Sequence, residues 1–146
     1  MRVVLWDTRK LDVAKDFAGG FGVGQYTGRG GVPGMIVRRF YKRDYRPVAM
    51  VYGYLAAVFR SLGHQVEYAL DRIPSGADLY VFNPSLITLS LERGAIQRTL
   101  AANPGCRVFV VGALANSMPN AFEGLAVTII QGEPEQLFWT LDAALH

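Results

Sequence analysis

Apolar and polar positions fall into two alternating kinds of segment along this chain. "RVVLW" (Arg2 to Trp6) is a short apolar, β-branched run of the sort that forms a buried strand. "QVEYAL" (Gln65 to Leu70) alternates with period two, and "ADLYVF" (Ala77 to Phe82), "RVFVVG" (Arg107 to Gly112) and "VTIIQG" (Val127 to Gly132) read as three further strands. Between them the spacing changes. Pro47 opens a helix in which Val48, Val51, Tyr52, Leu55, Phe59 and Leu62 share one face, with Gly63 as its stop. Its other side (Met50, Tyr54, Ala57, Val58) is also apolar, which predicts a covering segment, a second domain or a subunit. Ser90 is placed to cap a helix running through Ala102, ended by "NPG" at Asn103 to Gly105. Pro134 starts a last helix with Leu137, Phe138, Leu141 and Leu145 on one face.

The predicted order is β-α-β-(short connection)-β-α-β-(loop)-β-α. Strands alternating with helices call for a parallel sheet flanked by helices, an α/β fold of Rossmann-like or flavodoxin-like type with five strands. In such sheets ligands bind beyond the carboxyl ends of the strands. After the first strand, residues 7–46 show no sustained period, and connections that long are usually functional or disordered. Gly19 to Gly34, "GGFGVGQYTGRGGVPG", holds eight of the chain's 16 glycines and leaves from the carboxyl edge.

Charge sharpens this picture. The net charge of +3 conceals ten basic residues against four acids up to Arg46, and five against eight from Pro47 onward. The basic half surrounds the glycine-rich stretch, as expected of a segment meeting an anionic ligand or partner, or of a solvated loop. At 146 residues, 51% hydrophobic and 18% charged, the chain is expected to form one globular domain over 1–146. The longest apolar run, Pro47 to Phe59, is too short for a membrane span, and the first residues lack the regions of a signal peptide, so a cytoplasmic protein without a membrane partner is expected.

Several chemistries find no material. Gly22 and Gly24 are followed by Gly28, one residue too late for a dinucleotide fingerprint, and Gly19 lies a dozen residues past the strand. "TGRGG" lacks the Gly-Lys-Ser/Thr of a phosphate-binding loop. A phosphoacceptor domain would end its third strand with aspartate, where Asn83 stands. His64, in "LGHQV", reads as a turn residue, and no histidine pair has zinc-ligand spacing. Cys106 is the single cysteine, which excludes an internal disulfide and a cysteine-held metal cluster. No catalytic or metal-ligating residue is therefore assigned.

"SLGHQVEYALDRIPSGADLYVFNPS", "RVFVVGALANSMPNAFEGLAVTIIQGEPEQLFWTL" and "GGFGVGQY" together resemble the amino-terminal cobalamin (B12)-binding domain of B12-dependent radical SAM proteins. The resemblance covers essentially the whole chain. Its most specific part is Val111 to Leu141, with a glycine ending the fourth strand and "GEPEQ" opening the last helix. It implies a corrin ring lying across the carboxyl edge, with the dimethylbenzimidazole tail passing Ser85 and Gly112, where small side chains leave room for a flat heterocycle. The cofactor-binding set it implies is Gly20, Gly22, Gly24, Gln25, Tyr26 and Thr27 in the loop, then Asn83, Ser85, Leu86, Gly112, Ala113, Gly132 and Glu133. Arg29 would offer a further hydrogen bond to propionamides or phosphate.

Two departures from the family pattern stand out. "DTRKLD" keeps Asp7 but lacks the histidine of the usual Asp-x-His-x-x-Gly motif, so no protein imidazole is expected on cobalt. The paired glycines often seen after strand four are here Val111 and Gly112. The three cysteines that hold a [4Fe-4S] cluster for cleaving S-adenosylmethionine are also missing. The resemblance thus implies a binding module that serves a radical SAM domain, in cis or in trans, for methyl transfer or related radical chemistry, and that is not catalytic alone. Two other classes remain: a docking module that kept the fold without a cofactor, and, more weakly, nucleic-acid binding through "RRFYKRDYR", around which no recognised module is found.

Overall fold

A computed structural model describes residues 1–7, 50–70, 72–86 and 88–133. The Gly-rich stretch, with Gly20, Gly22, Gly24, Gln25, Tyr26, Thr27 and Arg29, and the helix expected from Pro134 lie outside the described residues. In chain order the elements are β1 (Arg2–Asp7), α1 (Met50–Ser61), β2 (Gln65–Leu70), β3 (Leu79–Phe82), α2 (Leu89–Ala102), β4 (Arg107–Val110), α3 (Ala113–Ser117), a 3-10 turn (Pro119–Phe122) and β5 (Thr128–Ile129). All five strands are parallel, in the order β2-β1-β3-β4-β5. This is the expected flavodoxin-like α/β sheet, and its order reverses at β1, between β2 and β3.

The alternation of strand residues sorts the core into two layers. Val3, Leu5, Leu79, Val81 and Phe109 face Tyr52, Leu55, Val58 and Phe59 of α1. Val4, Trp6, Tyr80, Phe82, Val108 and Val110 face the other way, toward Ala95 and Ile96 of α2 and Leu114, Ala115 and Phe122. Because β1, β3 and β4 are covered on both faces, they read as nearly continuous apolar runs. Edge strand β2 is different. Val66 and Tyr68 pack on the α1 layer, whereas Gln65 and Glu67 are exposed on the opposite face, where no helix joins β2 to β3 among the described residues.

Helix α1 ends as its sequence predicts. Gly63 has φ of 81°, and the N–H groups of Gly63 and His64 reach the carbonyls of Arg60 (3.0 Å) and Phe59 (2.9 Å), a Schellman closure. On the outer side of α1, Met50 and Tyr54 are 73% and 53% exposed in this chain, the side for which the sequence predicts a covering segment, a second domain or a subunit. Helix α2 begins two residues earlier than expected, and Thr88 rather than Ser90 stands at its N-cap. The Thr88 carbonyl already receives the Glu92 N–H at 2.9 Å, which places Ser90 inside the first turn. The connection after β4, expected as a loop, contains α3 and the 3-10 turn, too short for a periodic pattern to show. Strand β5 is only two residues, paired to Phe109 and Val110. Among the described residues no helix is long and apolar enough to cross a membrane.

Candidate ligand-binding site

At the switch point the β1–β3 ladder ends on the pair Trp6–Phe82. Just beyond it a side chain from α1 enters. The Tyr52 hydroxyl donates to the Trp6 carbonyl at 2.5 Å and accepts the Asn83 N–H at 2.9 Å. One buried phenol therefore bridges the two strands where their direct pairing stops. Burial first, and then the negative charges of Asp7 and Glu92, push its ionisation well above the usual tyrosine value. Asp7, fully buried at the end of β1, accepts the Tyr68 hydroxyl at 2.8 Å, and the Tyr52 and Tyr68 rings lie 5.7 Å apart.

After β3 the chain turns through Asn83, Pro84, Ser85 and Leu86 before α2. Glu92, wholly buried, folds back on this turn: its Oε2 accepts the Ser85 N–H at 3.1 Å and the Thr88 hydroxyl at 2.7 Å. The Ser85 and Thr88 hydroxyls are 2.7 Å apart. Thr88 has one hydroxyl hydrogen, and the carboxylate is a closer and stronger acceptor than the Ser85 carbonyl at 3.4 Å. Thr88 thus donates to Glu92, and Ser85 donates to Thr88. The serine hydroxyl is committed inside the turn, and Ser85 as a whole is only 8% exposed.

Across the edge, Gly112 follows β4 with φ of 93° and ψ of −171°, a conformation reserved essentially for glycine. A Cβ there would fall 3.0 Å from Cγ of Asn83 and would overlap its Oδ1. The room expected over Gly112 for a flat heterocycle is filled by the Asn83 carboxamide. Ala113 opens α3, whose Asn116 accepts the Gly132 N–H at 2.7 Å and so ties the end of β5 to the same rim. Leu86 (65%), Ala113, Gly132 and Glu133 are exposed along it, and Asn83 and Gly112 are half-buried.

Every described residue of the implied set thus lies at the carboxyl ends of β3, β4 or β5. The segments 83–86 and 112–113 carry no charge. A group placed directly over Gly112 would meet the Asn83 carboxamide, and the Ser85 proton is turned inward to Thr88. Sequence reasoning missed Tyr52, Thr88 and Glu92. Tyr52 has the spacing of any core aromatic, and only the Thr-x-x-x-Glu spacing at the start of α2 hints at the other two.

Other features are less suited to ligand chemistry. A groove of about 480 Å³ runs beside β2, lined by Arg2, Glu67, Ala69, Leu70, Arg72, Ile73, Pro74 and Ser75. Its Arg2 is already engaged, by Glu67 at 2.8 Å and the Ser75 carbonyl at 2.8 Å. His64 is buried in the turn after α1, its ring 6.0 Å from that of Phe59. Burial pushes the thiol of half-buried Cys106 up. Among the described residues no three His, Cys, Asp or Glu side chains gather as a metal site.

The architecture and this edge define a flavodoxin-like α/β domain with its candidate site at the switch point. Compared with known proteins, the chain matches no family model, no curated protein and no solved structure.

Proposed function

We propose that this chain is a cobalamin-binding module whose corrin rests on the carboxyl edge of the sheet, in the service of a radical SAM domain that carries the iron–sulfur cluster and S-adenosylmethionine. The observation that carries the reading is the uncharged rim formed by Asn83, Pro84, Ser85 and Leu86 facing Gly112 and Ala113. A phosphate would call for cationic donors, and the segments 83–86 and 112–113 contain none. The rim instead offers a carboxamide, exposed apolar surface at Leu86 and closely approaching backbone, which suit a large neutral ring bearing amides. When bound, the corrin supplies methyl-carrier or redox chemistry; this chain contributes position and environment.

The test is to mix the purified protein with hydroxocobalamin, remove free ligand by gel filtration and record the visible spectrum. A retained corrin band is the expected result. A second reading, a docking module without cofactor, is favoured by the solvent-facing Met50 and Tyr54 of α1. It predicts no retained band.

A further inference from the structure

We draw no further inference here: the strongest candidate, the groove of about 480 Å³ along edge strand β2 lined by Arg2, Glu67 and Arg72, has its Arg2 already held by Glu67 and the Ser75 carbonyl, and nothing in the structure shows what covers it.

Discussion

Glu92 and Thr88 form a closed pair: the carboxylate of a fully buried acid receives the hydroxyl of the residue at the N-cap, 2.7 Å away. A negative charge near a helix N-terminus is favoured by the helix dipole and by the unpaired N–H groups there. Here it also collects the Ser85 N–H and sets the entry turn of α2. Glu92→Ala would strand two buried donors and should cost roughly 2–4 kcal/mol of stability. Glu92→Gln keeps an acceptor oxygen and should cost about 1 kcal/mol. Urea unfolding of the two variants measures the difference; equal losses would mean that the carboxyl group matters only as volume.

Gly112→Ala should be destabilising by at least about 2 kcal/mol, for two separable reasons. The backbone conformation is strained for any L side chain, and the new methyl meets Asn83. In an Asn83→Ala background the second reason disappears and the first remains. A double-mutant cycle should therefore show a positive coupling, with part of the Gly112→Ala penalty abolished. Strict additivity of the two changes would contradict the close approach.

Tyr52 makes the alkaline limb of stability a report on the switch point. Its folded-state ionisation is raised above the ordinary value of 10.0, by burial and then by Asp7 and Glu92. Below pH 10 both folded and unfolded chains keep the proton, and the contribution is fully present. As pH rises past 10 the unfolded chain ionises first, so stability falls until the folded-state value is reached. Denaturation midpoints between pH 9 and 11.5 should decline less steeply in Tyr52→Phe, although that variant starts lower for want of two hydrogen bonds.

The Arg2–Glu67 ion pair is exposed on both sides, at 38% and 45%. Glu67 raises the Arg2 ionisation by hydrogen bonding, but solvent screens pairs of this kind. Glu67→Gln should leave the melting temperature unchanged within error at physiological salt. A clear drop would mark the groove beside β2 as structurally tense.

Strands β1, β3 and β4 were legible because burial on both faces leaves runs such as "RVVLW" and "RVFVV" without polar interruption. β2 was legible for the opposite reason, its alternation recording one covered and one open face. β5 shrank to two residues because it pairs only with Phe109 and Val110, a partner limit that no local pattern contains. Helix α2 has its N-cap at Thr88, whose carbonyl takes the Glu92 N–H while its hydroxyl is held by the Glu92 carboxylate, a contact that the Ser90 capping signal does not contain. At the site, the sequence located the edge through Asn83, Ser85 and Gly112. It did not reveal that Asn83 covers Gly112 or that the Ser85 proton is turned inward, since both depend on contacts between segments far apart in the chain. Tyr52 carried no signal apart from its place on a helical stripe.

The strand order has a consequence for how the chain is made. β1 sits between β2 and β3, yet both neighbours follow it by about sixty residues or more. At roughly 5–20 residues per second of synthesis, Val3, Val4, Leu5 and Trp6 leave the ribosome several seconds before β2 and β3, their partners among the described residues, have been made. Their burial must wait for α1, β2 and β3 to arrive together. A nascent chain halted before residue 65 should therefore hold an unpaired apolar strand and be an avid client for chaperones, whereas one extended past Phe82 should be able to shelter it.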